Sequence, residues 1–427
     1  MYRTVLMLVA AAAGMAVVGV NLARADSPVP IAGADGARSE SNAVSCAPGW
    51  VAAWNASPIA APAGAVPARP EIGGRTLRML VRPSAAGPEI RLVLSNRYGS
   101  EPLELRSVSV GLAGVGSALA AEPTPVTFGG LATARVPARG ELSSDPVPLS
   151  VSPASGLAVS MFVPGGPDVV SEHPLAMRTS YLSDPGDHAG SVEGAEFRYP
   201  VDSWLVLTGV DVRAPRATHA VLLMGDSIID GVGSSPNTDR RLSDSLSDRL
   251  SALGGPDRMS VLNAGIAGNH LLADVPGQGE AALTRLDWEV AGRPGVTDVI
   301  LHVGTNDVAA GVGARDVIDG MVRFSERAHN AGLRVFLTTL TPAVSGPHGT
   351  PGAVAVRDEI NQWVRTQGRS HADGVFDFAA AVTDVSQPNR LVNGFDSGDG
   401  LHLSDVGYQA MAATVDLAAL SGSHCLT

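Results

Sequence analysis

Between Trp50 and Val212, apolar and polar residues alternate in short runs separated by turn signals. Thr76-Leu-Arg-Met-Leu-Val-Arg82 and Glu89-Ile-Arg-Leu-Val-Leu-Ser95 alternate for part of their length. Leu103 to Leu112, Leu157 to Val163 and Trp204 to Val212 add further segments of strand length. Turn-forming stretches such as Asn96-Arg-Tyr-Gly99 and Pro164-Gly-Gly-Pro167 lie between them. Short strands, regular turns and no helical spacing predict an antiparallel, sandwich-like all-β domain over residues 47–213.

The pattern changes near Thr218. Ala220-Val-Leu-Leu-Met224, Ser260-Val-Leu262, Val299-Ile-Leu-His-Val303, Arg334-Val-Phe-Leu-Thr338 and Val375-Phe-Asp-Phe378 are apolar without alternation. Residues 240–253, 280–290, 314–330 and 354–366 between them have helical spacing, and a last helical stretch runs from Ser404 to Leu420. Strands buried on both faces and alternating with helices predict a five-stranded parallel sheet covered on each side, over residues 214–427. In such a fold ligands bind outside the carboxyl ends of the strands, so chemistry is expected just after each apolar run.

The chain ends qualify this two-domain picture. Arg3, the mostly apolar run Val5 to Val20 and Ala23-Arg24-Ala25 read as an export signal over residues 1–25, cleaved after Ala25; an uncleaved membrane anchor is the alternative. No Cys follows the apolar run, so lipid attachment there is not expected. Residues 26–46 are rich in Ala, Gly, Ser and Pro and read as a flexible linker to a secreted or cell-surface protein. Two cysteines, Cys46 and Cys425, lie near the ends of the mature chain. In an oxidising compartment they could pair, or they could be two unrelated thiols.

Composition removes several chemistries. All 30 basic side chains are Arg, and 42 acidic ones leave a net charge of −12. Without lysine there is no Ser–Lys dyad, no Schiff base and no P-loop lysine. The acidic balance argues against nucleic acid as a partner. The ten histidines and two cysteines show no metal-ligand spacing, so neither a metal nor another cofactor is expected.

Four polar clusters remain. Gly225-Asp-Ser227 follows the first apolar run, where the serine is either a helix cap or a nucleophile at the start of a turn. Asn263-Ala-Gly-Ile-Ala-Gly268-Asn269 follows the second, and its glycines either permit a tight turn or present a backbone N–H. Gly304-Thr-Asn306-Asp307 follows the third; its Asn could donate into a cleft or form a local turn. Asp399-Gly-Leu-His402 precedes the last helix, and at this spacing the carboxylate can orient its own imidazole, leaving Nε2 to take a proton from a hydroxyl. Asp396 competes for that task, with Asp399 preferred on spacing. Each cluster alone is weak, but all four fall where one cleft would gather them.

Gly225-Asp-Ser227, Gly268, Gly304-x-Asn306 and Asp399-x-x-His402 resemble the four sequence blocks of the SGNH (GDSL) hydrolase superfamily, in the family's order, across residues 218–420. The resemblance implies a three-layer domain with strand order 2-1-3-4-5. It also implies Ser227 as nucleophile, His402 as base and acid, and Asp399 as its orienting carboxylate. The oxyanion hole would come from the backbone N–H of Ser227, that of Gly268 and the Asn306 side chain. No metal is implied. Block one continues Ile228-Ile-Asp-Gly231 where the family commonly has Ile-Thr-Asp-Gly. The N-terminal half resembles, less specifically, a β-rich domain found ahead of this catalytic domain in some secreted bacterial members.

The expected activity is hydrolysis of an acyl ester, with a short acyl group, on a small molecule, a polysaccharide or a lipid. Acyl transfer to a sugar hydroxyl by the same residues, and a non-catalytic carbohydrate-binding protein, are the alternatives. Asn269 and His270 are candidate substrate contacts, His270 being otherwise a solvent-facing loop residue. His302, within the third strand, is expected to be a satisfied core residue. The oligomeric state is left open.

Overall fold

The computed structural model describes residues 49–62, 71–153, 155–214, 218–253 and 259–420. The expected export signal, the linker, Cys46 and Cys425 therefore lie outside the described residues.

The parallel sheet consists of β1 (Ala220–Gly225), β2 (Ser260–Gly265), β3 (Val296–His302), β4 (Arg334–Thr338) and β5 (Gly374–Phe376), in the order β2-β1-β3-β4-β5. Every neighbouring pair is parallel. Because successive side chains in a strand point to opposite faces, each apolar run serves two cores. Val221, Leu223, Ile300 and Phe336 pack with α2 (Leu242–Leu253) and α8 (Asp405–Ala413) on one face. Leu222, Met224, Val299 and Leu337 pack with α3 (Ala282–Ala291), α5 (Ala314–Asn330) and α6 (Pro351–Gln367) on the other. This is the three-layer arrangement, with a gap-free apolar pattern because no strand face meets water. Short helices α1 (Ser227–Asp230), α4 (Thr305–Ala309) and α7 (Phe378–Val382) follow strands directly.

Residues 49–214 are all β and antiparallel. One sheet orders Gly49–Asn55, Leu207–Ala214, Ile90–Ser95 and Glu141–Ser143. A larger one is built around Arg75–Val81, Leu157–Val163 and Leu103–Leu112. Their inward residues, among them Leu92 and Val210 from the first and Met79 and Met161 from the second, share one core. A small third sheet joins Ser203–Leu205, Val169–Pro174 and Ile59–Pro62. The core of this region is continuous with the α3–α5–α6 face of the parallel sheet. Hydrogen bonds also cross directly: Ala52 N–H donates to Pro294 O at 2.8 Å, and Ser84 Oγ donates to Val261 O at 2.9 Å while accepting from Val261 N–H at 3.0 Å.

Two expectations are corrected. The segment Trp204 to Val212 is not one strand, because Val206 has φ +67° and lets the chain leave the third sheet for the first. The helix expected over 404–420 ends at Ala413; Asp416 then caps a separate 3₁₀ turn, Leu417–Ala419, by accepting from Ala418 N–H at 3.1 Å. Among the described residues no helix is long and apolar enough to cross a membrane.

Candidate active site

The four clusters meet at the carboxyl end of the parallel sheet. Ser227 opens α1 immediately after β1, and Asp226 rather than Ser227 is the N-cap, its Oδ1 accepting Ile228 N–H at 3.0 Å. As the first helical residue, Ser227 has no intrahelical partner for its own N–H. Its hydroxyl is therefore relieved of capping. The close packing of α1 on β2 depends on Gly265, where an added Cβ would lie 2.1 Å from Asp230 N.

His402 Nε2 lies 2.8 Å from Ser227 Oγ, and its Nδ1 lies 2.6 Å from Asp399 Oδ2. The other Asp399 oxygen accepts the backbone N–H of Leu401 and of His402, at 2.9 and 2.8 Å. Burial pushes the Asp399 carboxyl up, but the bonds from His402 and these two N–H groups outweigh it and hold it at about 2. A carboxylate facing Nδ1 requires Nδ1–H, so the Nε2 lone pair points at the hydroxyl. The arrangement can move the Ser227 proton to His402 and stabilise the imidazolium that results. Asp396 does not compete for His402: its Oδ1 accepts Gly398 N–H and Gly400 N–H at 2.7 and 3.1 Å, shaping the loop that carries Asp399.

Gly268 has φ +79°, a conformation that favours glycine, and a Cβ there would lie 3.0 Å from the Gln278 side chain. Asn306 lies in α4, where its Nδ2 donates to Asn269 O at 2.9 Å. Nε2 of His348 lies 3.3 Å from Asn306 Oδ1, which fixes the amide with its nitrogen toward the Gly268–Asn269 loop. One Nδ2 hydrogen then remains for a ligand.

The expected substrate contact at Asn269 is corrected. Its side chain is fully buried, donates to Gln278 O and Glu280 O, and accepts from Arg285 Nε and Nη2. Only its backbone oxygen reaches the site, through Asn306. His270 is not solvent-facing either. Its Nε2 is 3.1 Å from Gln278 Oε1, and the Asp307 carboxylate 3.8 Å from Nδ1 raises its pKa against the effect of burial. Asp307 itself accepts Leu271 N–H and Leu272 N–H, tying the block-two loop to the block-three loop. His302 is a core residue, as expected, but only half satisfied: Nδ1 lies 2.8 Å from Thr338 Oγ1, Nε2 is buried without a hydrogen-bond partner, and burial lowers its pKa to about 3.

Two side chains at the site had not been singled out. His348 lies in a Gly- and Pro-rich turn, Gly346–Gly349, that carries no periodicity to mark it. Burial lowers its pKa most, and His402 lowers it further. Asp226 is fully buried, and burial pushes its carboxyl up to about 7 against the pull of the Ile228 N–H bond. Its position inside block one was the available signal.

Residues 223–410 match the family described as GDSL-like lipase/acylhydrolase. Among solved structures, the native aryl esterase of M. smegmatis is similar at 18% identity, covering 46% of this chain and 95% of that one, with a TM-score of 0.38. A GDSL-like lipase from Bacteroides thetaiotaomicron is similar at 19% identity, covering 47% and 87%, with a TM-score of 0.35. No curated protein matches the chain.

Proposed function

Residues 223–410 form a GDSL-like lipase/acylhydrolase domain, and from that premise we propose that the chain is a carboxylic ester hydrolase acting through an acyl-enzyme on Ser227. The observation that carries the reading is the Ser227 Oγ–His402 Nε2–His402 Nδ1–Asp399 alignment, with contacts of 2.8 and 2.6 Å. Ser227 Oγ attacks the ester carbonyl carbon as Nε2 takes its proton. The negative oxygen of the tetrahedral intermediate is assigned to Ser227 N–H, Gly268 N–H and Asn306 Nδ2 as its donors. His402 then passes the proton to the departing alcohol oxygen. Water repeats the sequence on the acyl-enzyme: Nε2 takes its proton, the acid leaves and Ser227 Oγ is reprotonated. With Asp399 held at about 2, its carboxylate faces the His402 ring at every step at neutral pH and stabilises the imidazolium whenever it forms.

The proposed substrates carry short acyl groups on carbohydrate or lipid oxygens. The chain is further proposed to be exported, with residues 1–25 removed, and to fall into an accessory domain over 47–213 and a catalytic domain over 214–427. N-terminal sequencing of protein from the culture medium tests the export proposal. Residue 26 as the first residue supports it, and retention of Met1 in the membrane fraction overturns it.

p-Nitrophenyl esters of increasing chain length test the activity. Wild type is expected to hydrolyse the acetate and butyrate well above a Ser227→Ala control, with rates falling for longer chains. Equal background rates for the two proteins on every ester overturn the esterase reading. Activity that persists on long chains overturns only the short-acyl part.

A further inference from the structure

The antiparallel region reaches into the floor of the site. His173, on the strand Val169–Pro174, is 3% exposed and packs against the Trp204 ring at 5.3 Å between centroids. Its Nδ1 is 2.9 Å from Ser57 O, and its Nε2 is 3.0 Å from Asp230 Oδ1. Asp230 is the last residue of α1 and is 1% exposed. Its second oxygen, Oδ2, accepts Ala267 N–H at 3.1 Å. Ala267 directly precedes Gly268.

The protons in this chain are determined by what can accept. A carbonyl oxygen has no hydrogen to give, so Nδ1 carries one toward Ser57. A second proton lies between Nε2 and Asp230 Oδ1, since neither lone pair can face the other bare. Asp230 is thus held on one side by an imidazole from residues 49–214 and on the other by the block-two backbone.

A parallel connection runs through Arg285, which is fully buried. Its Nη1 reaches Ser57 Oγ at 3.3 Å, its Nη2 donates to Gly225 O at 3.0 Å, and Nε and Nη2 donate to Asn269 Oδ1 at 3.2 and 3.1 Å. Ser57 therefore touches both connections, one ending on Ala267 and one on Gly225 and Asn269. The strand end that carries Ser227 and the loop that carries Gly268 are braced against the same turn of the antiparallel region.

We propose that His173 is a positioning residue: through Asp230 it holds the Ala267–Gly268 backbone, and so aims the Gly268 N–H at the developing oxyanion. The proposal rests on the esterase reading for its kinetic consequence, and on the structure for the brace itself. An interface anchor without this role would lower stability and leave the chemistry of the folded enzyme intact. A brace controls a donor whose placement matters to about an ångström, where such errors cost on the order of 10²-fold in rate.

The test uses the full-length protein and the variants His173→Ala, His173→Gln and Asp230→Asn. Val170→Ala, a core truncation on the same strand, is the stability control. Steady-state kinetics on p-nitrophenyl acetate, melting temperature and amide hydrogen exchange across residues 264–270 are measured on each. His173→Ala and Asp230→Asn are expected to lower kcat about 10- to 100-fold, with KM moved no more than about threefold. Exchange at Ala267 and Gly268 is expected to accelerate in both. His173→Gln, which keeps a donor for Asp230, is expected to recover part of kcat. Val170→Ala is expected to lower the melting temperature alone. The proposal is overturned if His173→Ala loses no more kcat than Val170→Ala, or if exchange at 267–268 is unchanged. If His173→Ala does not fold, His173→Gln and Asp230→Asn decide by the same criteria. If the wild type hydrolyses no ester, exchange alone decides the brace, and only the functional reading falls.

Discussion

The parallel-sheet domain and the antiparallel region both bury charged and polar side chains, and each leaves some buried atoms without a partner, Asp226 Oδ2 in the first and Asp211 Oδ1 in the second. The difference lies between how Arg78 is held and how the groups around Ser227 are held. Arg78, in the antiparallel region, is fully buried, and every nitrogen is committed: Nε to Ser160 Oγ, Nη1 to Ser117 O and Nη2 to Ser191 O, with Phe197 beneath the guanidinium. Burial lowers its pKa to about 10, opposed by the charge of Glu196. At the end of the parallel sheet the polar groups are instead partly committed. Asn306 keeps one N–H hydrogen, Asp226 Oδ2 has no partner, and the His402 Nε2 lone pair meets the Ser227 hydroxyl. Burial of charge alone therefore does not mark a site. What sets the site apart is that a hydroxyl, a base and an amide with a hydrogen to spare meet there, which a lone unpartnered atom such as Asp211 Oδ1 does not supply.

This contrast can be broken by substitution. The largest effect is expected at Ser227 and His402: alanine at either lowers kcat on p-nitrophenyl acetate by roughly 10⁴- to 10⁶-fold, with little change in melting temperature. Activity within tenfold of wild type would end the catalytic assignment. Asp399→Asn is expected to lower kcat about 10⁴-fold by leaving His402 in the wrong tautomer. Asp396→Asn, which touches only backbone N–H groups, is expected to cost far less, and a reversed order would reassign the orienting carboxylate. Asn306→Ala is expected to lower kcat roughly 10²- to 10³-fold while sparing KM; a change confined to KM would make it a substrate contact instead. In the other region, Arg78→Ala should cost about 2–5 kcal/mol of stability through a cavity and three abandoned acceptors. Urea unfolding measures this, and kcat of the folded fraction should not move.

The smallest expected effect is a pH slope in stability. The Asp226 carboxyl lies at about 7 in the folded protein against an ordinary value of 3.8. Between those values the folded state keeps a proton that the unfolded state has released. Stability from this group therefore falls as pH rises from about 4 to about 7 and levels off above. Asp399 has the opposite sign: lowered to about 2, it contributes stability above about 4 that is lost as pH falls through 2. Urea melts of wild type and Asp226→Asn from pH 4 to 8 separate the two. The variant should lack the slope between 4 and 7, and a slope equal to wild type would assign it to other groups.

Much of the parallel-sheet domain was legible, because strands buried on both faces leave an uninterrupted apolar run. All five appear within a few residues of their expected positions, and α5 appears at its expected bounds of 314–330. The antiparallel region was legible in kind but not in connection. Nothing at Val206 announces a left-handed residue, and no glycine punctuates the switch of sheets there. The hairpin of Thr383–Asp384 and Gln387–Leu391 escaped because its second strand is exposed except at Leu391, so no apolar alternation records it. Asn269 was misread because proximity to Gly268 in sequence says nothing about direction. Its side chain turns into the fold to meet Arg285, while its carbonyl faces the site.

The sequence alone determined the residue types, the order of the clusters and the one local pairing, Asp399 with His402. A separation of three positions in a single loop holds that pair within reach by covalent geometry, and the observed contact is 2.6 Å. The tertiary structure decided everything that spans long separations. Ser227 and His402 are 175 positions apart, and His173 meets Asp230 across 57. Such meetings follow from which sheet faces are buried against which partners. That outcome is set by the summed packing of the whole core, and no local spacing encodes it.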